Sequence, residues 1–389
     1  MITLDKLVEI GFSIEQATDI SAFFRNVGYL TIGTESVLAG VTIPENKVLV
    51  IDSNEALKST LKADSKEYLD ISKVLVQNGN LEPNKGRVNS VILYLATKTE
   101  TDNYGTLVDE FVSVNGNWSQ LLINSTTDED ITTAAAKALA NNRLFIAQTE
   151  SENIAKDVEN NIAETLKNLA NNNTLLTYHK TANESLAAGL AGIMAHPYLG
   201  ATGSLYSTVT DVTPEDYTPA VNSNLDKFGV TYYTNINAIS GGGVTQYASP
   251  IVMNAKMAGG EDAKRRYIRF CVDLLLKVKS IDFLKKKLGY EDGSAEVGLA
   301  MLKSVLKACQ TNGLIKKNSI VKSGDETIET LGFELRTVYP SELMNVDVTL
   351  YNASTYKYVG YYRDSLTGRK VLIDLSVDPS EGNKSLLGF

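Results

Sequence analysis

The sequence lacks the residues on which most metal and catalytic sites depend. Its 389 residues include two histidines and two cysteines, and neither type recurs at the spacing of a metal-binding pair. Neither the phosphate-loop pattern G-x-x-x-x-G-K-[ST] nor the nucleophile pattern G-x-S-x-G occurs. We therefore expect no metal, no cofactor and no catalytic residue, and interpret His179 and His196 as structural.

Positive charge is outnumbered by negative charge, and long apolar runs are lacking. The net charge of −9 argues against general nucleic-acid binding, because phosphate contacts need clustered Lys and Arg. No stretch reaches about 18 uncharged apolar residues, so no direct membrane insertion is expected. Charged residues occur among the first residues of the sequence, where a secretory signal would need an uninterrupted apolar core. Cys271 and Cys309 occupy inward-facing helical positions, which predicts buried thiols in a soluble, acidic protein.

The run Gly241-Gly242-Gly243 raises the question of a nucleotide loop. Such a loop needs a strand before it and a helix after it. Here the stretches on both sides, GVTYYTNI (229–236) and VTQYAS (244–249), have β-like composition, and Pro250 follows. This context predicts a hairpin or an irregular turn, in which glycine supplies positive φ.

The middle of the chain alternates buried strands and amphipathic helices. Strands are predicted at 118–124, 143–149 and 174–178, with a helix near 128–141 after the first. Strands that alternate with helices imply right-handed βαβ units and a parallel sheet. After the second strand, one helix is predicted from apolar residues at spacings of four, four, four and three: Ile154, Val158, Ile162, Leu166 and Leu169.

Ligands of open α/β sheets bind beyond the carboxyl ends of the strands, where phosphate needs glycines and free N–H groups. Two of these loops are acidic instead: NSTTDEDI carries Asp128 to Asp130, and TESENI carries Glu150 and Glu152. These carboxylates are better explained as partners of helix N-termini. Asp211, Glu215 and Asp216 suggest a cation site, but a Pro-rich polar loop explains them equally well.

The last third begins with helices and is predicted to end in strands. The two long helices carry apolar stripes, the second through Val297, Met301, Val305 and Cys309. LGFELRTVY, VDVTL, YKYVGYY and KVLIDLSVD read as the strands. The whole is predicted as α/β (α+β overall), with five segments: an arm at 1–28, an α/β body at 29–200, a β-rich segment at 201–260, a C-terminal core at 261–345, and C-terminal strands and arm at 346–389.

The order of these features resembles the tail sheath family of contractile bacteriophages and related contractile injection systems. YLTIGTES, KVLVIDSNEAL and DSKEYLDISKVLVQNG resemble the opening of that family. The stretch NWSQLLINSTTDEDITTAAAKALANNRLFIAQT is similar to its central α/β part. KFGVTYYTNINAISGGGVTQYASPIVMNAKMAGGEDAKRRYIRF resembles the segment that leads into a long helix. The resemblance spans about residues 29 to 378 as pattern and order, and it carries no catalytic residue.

The resemblance implies a structural subunit of many copies around a tail tube, with baseplate and tail terminator proteins as further partners. It implies a place in the phage tail of the virion after assembly in the host cytoplasm. Terminal arms are expected to add strands to the sheets of neighbouring subunits, and charged side chains are expected to face acidic neighbours. The candidates are Val371, Leu372, Ile373, Asp374, Leu375 and Val377 for the C-terminal arm strand; Ile2, Leu4 and Leu7 for the N-terminal arm; and Lys264, Arg265, Arg266, Lys285, Lys286 and Lys287 for charged contacts.

Two features depart from the family pattern: the N-terminal arm is short and helical in pattern, and the chain is compact for a sheath. Two alternatives stay open. One is a small-molecule-binding α/β enzyme that uses the parallel sheet. The other is a different virion protein, such as a baseplate component, which would form closed rings or monomers in place of an open-ended polymer.

Overall fold

The structure, a computed structural model of the chain, divides into two compact units. The first, here the α/β unit, ends at Arg266, and the second, here the C-terminal unit, begins at Tyr267. No helix in the described part of the chain is long and apolar enough to cross a membrane. The described residues are 20–32, 37–77, 88–97, 103–181, 184–195, 205–239, 246–323, 326–352, 354–365 and 370–377.

The α/β unit alternates strands and helices along most of its length. Most of its helices start at a residue whose side chain accepts a first-turn N–H. Its elements are α1 (Ile20–Arg25), β1 (Asn26–Ile32), β2 (Val48–Ile51), α2 (Asn54–Thr60), α3 (Lys66–Val76), β3 (Ser90–Ala96), α4 (Tyr104–Val114), β4 (Gln120–Ile123), α5 (Asp128–Ala140), β5 (Leu144–Thr149), α6 (Glu152–Ala155), α7 (Ile162–Asn168), β6 (Thr174–Tyr178), α8 (Leu186–Met194), α9 (Pro219–Phe228), β7 (Thr231–Ile239) and β8 (Gln246–Met253).

These strands form one eight-stranded sheet in the order β2-β3-β1-β4-β5-β6-β7-β8. The six strands from β3 to β7 pair in parallel, which confirms the predicted βαβ units. The edge strands β2 and β8 are antiparallel to their neighbours. Because β3 and β4 lie on opposite sides of β1, the chain changes direction along the sheet at the β1–β4 pair.

Helices cover both faces of the sheet, which explains why its central strands are almost continuously buried. On one face, α4, α5 and α7 join a single apolar core with alternate strand residues. In this core the ring of Phe111 stacks on Trp118 at 4.7 Å and on Tyr94 at 5.1 Å. Helices α3 and α8 pack against each other outside that core, and α8 contacts β4, β5 and β6.

The helix predicted through Ile154 to Leu169 is wrong as a single element. The structure has two short helices, α6 and α7, separated by residues 156–161. Asp157 and Asn160 have φ values of 58° and 59°, a left-handed conformation that a right-handed helix does not contain. As a result, the side chain of Val158 is 44% exposed, and that of Leu169 is 51% exposed.

The C-terminal unit contains most of a long helix that crosses the unit boundary, α10 (Ala263–Leu284). Its strands form an antiparallel sheet, β11-β12-β13, and a separate hairpin, β9–β10. The further elements are α11 (Asp292–Thr311), β9 (Ser319–Ser323), β10 (Glu326–Thr330), β11 (Phe333–Val338), α12 (Pro340–Val346), α13 (Val348–Asn352), β12 (Tyr356–Arg363) and β13 (Lys370–Val377).

Two further predictions for this unit are corrected. In α11 the predicted apolar stripe is only partly buried: Val297 is 40% exposed, and Met301 and Val305 are half-buried. The buried face consists of Leu299, Leu302, Leu306 and Cys309, of which only Cys309 belongs to the predicted stripe. The stretch VDVTL, predicted as a strand, lies in α12 and α13. Pro340 occupies the first turn of α12, a position that favours helix initiation and outweighs the β-branched composition of the segment.

Gly28 provides a test of the core of the α/β unit. A Cβ at this position would lie 2.6 Å from Cδ2 of the Trp118 ring, which cannot move without disturbing Phe111. We expect Gly28→Ala to lower the free energy of unfolding by about 1–3 kcal/mol through overpacking. Urea denaturation measures this change. Gly293→Ala is the control, because a Cβ there meets nothing within 4 Å. Equal stability of the two variants would contradict the packing described.

Candidate assembly surfaces

The β1–β4 pair is the position at which open α/β sheets bind ligands, so its carboxyl ends are the first candidate site. Polar side chains of the chain itself close this crevice. The hydroxyl of Thr31 donates to Oε1 of Glu67 at 2.6 Å, and Nδ2 of Asn124 donates to the same oxygen at 2.6 Å. Both strands are thus joined to α3 by one buried carboxylate.

A second buried carboxylate closes the rest of the crevice. Oδ2 of Asp70 accepts hydrogen bonds from the Tyr29 hydroxyl at 2.7 Å and from Nζ of Lys66 at 2.8 Å. Burial and the adjacent Asp70 raise the pKa of Tyr29 well above its ordinary value, so the hydroxyl stays a donor. The remaining cavity is about 10 Å³, room for about one water molecule. Side chains of the chain itself therefore fill the crevice.

The first acidic loop caps its helix, as predicted, whereas in the second the residue before α6, Ser151, makes no side-chain cap hydrogen bond. Thr127 caps α5, and its side chain accepts from the N–H of Asp130. The carboxylate of Asp130 in turn accepts from the hydroxyls of Ser125 at 2.6 Å and Thr127 at 2.8 Å. Glu152 lies in the first turn of α6. Carboxylates at helix N-termini complement the helix dipole, so these loops disfavour phosphate.

His179 and Glu215 belong to a buried hydrogen-bonded cluster, whereas Asp211 and Asp216 of the same loop are exposed. His179 is fully buried, and its Nε2–H donates to the carbonyl of Thr213 at 2.9 Å. Oε1 of Glu215 accepts from the N–H and the hydroxyl of Thr181 at 2.9 and 2.8 Å. Asp216 accepts from Asn235. No His, Cys, Asp or Glu cluster in the described residues fits a metal ion.

The glycine run lies between two paired strands. β7 and β8 pair antiparallel, and Ile239 is opposite Gln246. The strands of the predicted hairpin are therefore confirmed, while Gly241, Gly242 and Gly243 lie outside the described residues, as does His196. The two cysteines are buried and free, also as predicted. Burial raises the pKa of Cys309 to about 12, which makes its thiol unreactive.

The predicted C-terminal arm strand forms β13 and pairs with β12 of the same chain. Its residues alternate as predicted: Val371, Ile373, Leu375 and Val377 are at most 4% exposed and face the core. On the other face, Leu372 is 64% exposed. Asp374 also lies on that face and forms an ion pair with Lys357. Within the described residues β13 pairs only with β12, so it is an edge strand.

The two charged clusters occupy different environments. In the first, Nε and Nη2 of Arg266 donate to Oδ1 of Asn173 at 3.0 and 2.7 Å, and Arg265 approaches Glu261 at 3.8 Å. Burial lowers the pKa of Lys264. Lys285, Lys286 and Lys287 follow α10 and are all exposed. The second cluster is therefore better placed to meet a partner. Ile2, Leu4 and Leu7 lie outside the described residues.

Three exposed apolar side chains close together in the sequence were not anticipated. Met344 and Val346 of α12 and Val348 of α13 are 52%, 79% and 57% exposed. We call these three residues the α12–α13 patch. A strand-like pattern in VDVTL conceals the patch in the sequence, because a strand would turn Val346 and Val348 to one buried face.

No protein-family model and no curated protein sequence matches the chain. Solved structures do match it over nearly its whole length. The crystal structure of the sheath tail protein from Desulfitobacterium hafniense has a TM-score of 0.58 at 10% identity, covering 91% of this chain and 96% of that one. The anti-feeding prophage helical sheath in its contracted state has a TM-score of 0.55 at 9% identity, covering 99% and 93%.

A chain of the anti-feeding prophage baseplate, resolved with six-fold symmetry, gives a TM-score of 0.54 at 9% identity and covers 98% of this chain and 95% of that one. The fold is therefore that of contractile tail sheath proteins, a mixed α/β fold with a mostly parallel sheet and a separate antiparallel sheet. The resemblance inferred from the sequence is confirmed at the level of the fold.

Neighbouring residues of β13 provide a test of its two faces. Ile373 is 2% exposed and Leu372 is 64% exposed. We expect Ile373→Ala to lower the free energy of unfolding of the C-terminal unit by about 2–5 kcal/mol, because it leaves a cavity. Leu372→Ala is the matched control and should change stability by about 0.5 kcal/mol or less. Chemical denaturation monitored by circular dichroism measures the free energy of unfolding of both variants. A larger loss for Leu372→Ala than for Ile373→Ala would contradict the assignment of the two faces.

Proposed function

We propose that this protein is a structural subunit of a contractile tail sheath, which assembles in many copies around a tail tube and contracts to drive the tube through a host envelope. The supporting observation is the likeness of nearly the whole chain to nearly the whole of a sheath tail protein and of a helical sheath subunit. A likeness confined to the α/β sheet would fit many functions, since sheets of this kind are widespread.

The proposed partners are other copies of the chain, the tail tube protein, and baseplate and terminator proteins. The proposed location is the phage tail of a virion, after assembly in the host cytoplasm. The work is mechanical: contraction is a switch between two arrangements of the same subunits. The closed β1–β4 crevice supports a structural role over a small-molecule enzyme, because a cavity of about 10 Å³ is far below the ~300 Å³ of a typical ligand pocket.

A baseplate component is the second candidate, and one observation favours it: one of the matching chains comes from a baseplate. The two candidates differ in the assembly that they form. Head-to-tail contacts that do not close give open-ended helical polymers, and those that close give rings of fixed size.

We propose that β13 is a site of inter-subunit strand addition. The donor-strand role predicted from the sequence would remove four buried side chains from the chain's own core, a cost of about 1.5–3 kcal/mol each. Its role as acceptor has no such cost, since the outer backbone edge of β13 can pair while its core face stays in place. Ile2, Leu4 and Leu7 are proposed to belong to the incoming arm of a neighbouring copy.

Electron microscopy of the purified full-length protein tests the proposed function. We expect hollow tubes or stacked rings wide enough to surround a tail tube when the concentration and salt are varied. Rings of one fixed size that never stack would favour the baseplate candidate. A large increase in melting temperature when a nucleotide is added would instead favour the small-molecule enzyme, since a ligand that binds the native state raises its stability.

The proposed arm is tested by replacing Ile2, Leu4 and Leu7 with serine. The loss of apolar contacts should raise the protein concentration needed for assembly by about tenfold or more. The matched control replaces Asp5, Lys6 and Glu9 with serine. Pelleting measures assembly, and circular dichroism verifies that each variant is folded. Normal assembly of the first variant would exclude these residues from the interface.

A further inference from the structure

The chain before α9 is irregular over residues 206–217, which we call the strap. Two of its apolar side chains, Val209 and Val212, are at most 6% exposed. The amide of Gln77, just after α3, binds the backbone of the strap. Its Nε2 donates to the carbonyl of Thr210 at 2.7 Å, and its Oε1 accepts from the N–H of Thr210 at 2.9 Å. This first attachment of the strap is uncharged.

A second attachment joins the strap to the end of β6 through two buried titratable side chains. His179 follows β6 and is 0% exposed, and Glu215 belongs to the strap and is 7% exposed. Nε2 of His179 lies 2.9 Å from the carbonyl oxygen of Thr213, and Nδ1 lies 3.2 Å from Oε1 of Glu215. Each nitrogen of the ring therefore faces an oxygen, and a carbonyl or an ionised carboxylate can only accept a hydrogen bond.

A neutral ring cannot satisfy both oxygens. It has one N–H, and with that proton on Nε2 the lone pair of Nδ1 faces the Glu215 carboxylate. Oε1 of Glu215 carries no proton of its own, because three donors already point at it: the N–H groups of Lys180 and Thr181 at 3.1 and 2.9 Å, and the Thr181 hydroxyl at 2.8 Å. The Thr181 N–H also lies 3.3 Å from Nδ1, but the carboxylate oxygen is its nearer acceptor. A proton on Nδ1 turns the repulsive contact into a charge-assisted hydrogen bond.

The groups around the pair favour a positive ring. Glu184 is half-buried and accepts from a hydroxyl of the strap at 3.2 Å. Burial and the charge of the adjacent carboxylate raise the pKa of Tyr178 and of Tyr217, so both stay neutral hydroxyls. Lys180 is exposed, with Nζ 5.5 Å from the centre of the Tyr217 ring, and solvent screens its charge. The other carboxylates of the strap are also exposed.

We propose that His179 is an imidazolium at neutral pH and that its ion pair with Glu215 fastens the strap. Loss of the proton from Nδ1 would leave the buried carboxylate without a cationic partner, which is costly in an interior of low dielectric constant. A histidine of the unfolded chain loses this proton at about pH 6.5. The pair therefore stabilises the strap fully below about pH 6.5, and the stabilisation is lost as the folded chain loses the proton at higher pH.

Nitrogen-15 NMR tests the state of the ring directly, because the chain has two histidines and His196→Gln assigns the signals by elimination. The two ring nitrogens of an imidazolium resonate close together, whereas those of a neutral imidazole are widely separated. We expect the first pattern for His179 at neutral pH. Glu215→Gln keeps the shape of the side chain and removes its charge, so it should give the second pattern. Widely separated signals in the chain with Glu215 intact would overturn the proposal, even if Glu215→Gln did not fold.

Hydrogen exchange tests the attachment of the strap. The N–H of Glu215 donates to the carbonyl of Tyr233 at 3.0 Å, so its exchange reports opening of the strap. After correction for the intrinsic rate, we expect exchange in the strap to become about tenfold faster or more between about pH 6 and about pH 9. Glu215→Gln should show fast exchange over this whole range.

Gln77→Ala is the matched control for hydrogen exchange. It removes the uncharged attachment, so it should accelerate exchange in the strap at every pH while the dependence on pH remains. A dependence on pH that persists in Glu215→Gln would assign the effect to another group and overturn the proposal. Neither measurement requires a polymer, so its result is independent of the proposed function.

Discussion

The packing of Trp118 against Gly28 is the contact on which the α/β unit depends. Its ring lies over the backbone of β1, where a side chain would collide, and stacks on Phe111 of α4. The guanidinium of Arg143 covers the ring at 5.2 Å and donates to the carbonyl of Gly116, just before β4. One aromatic side chain thus sets how closely β1, α4 and the start of β5 approach.

Much of the fold could be predicted because local periodicity and burial agree. In β5 and β6 the continuous apolar runs reflect burial on both faces, and the intervening amphipathic helices imply parallel pairing. In β13 the alternation of Val371, Ile373 and Leu375 with polar residues marks a core face, as the structure has it. The acidic first turn of α5 could be interpreted correctly from chain position alone.

The parts that escaped prediction depend on contacts between distant residues. The helix α11 has two apolar stripes, one that starts at Val297 and one that starts at Leu299. Tertiary packing decides which stripe is buried, and the structure buries the one that starts at Leu299. Asp157 and Asn160 adopt left-handed conformations that no apolar spacing reveals. Among the candidate interface residues, those of β13 could be recognised from the alternation of apolar and polar residues. The sequence did not reveal that the apolar face of β13 packs against the core of its own chain. The α12–α13 patch was concealed because helix-capping residues outweigh β-branched ones there.

The filled crevice between β1 and β4 has an energetic consequence for a sheath of the proposed kind. With Glu67 and Asp70 bonded to side chains of the same chain, this crevice offers no room for a nucleotide to act as fuel. The free energy for contraction would then be stored in the polymer itself. It would be stored when subunits assemble in a strained arrangement, and it would be released when that arrangement relaxes. Contraction of a sheath of the proposed kind would then be an event that nucleotide binding at this crevice could not reverse.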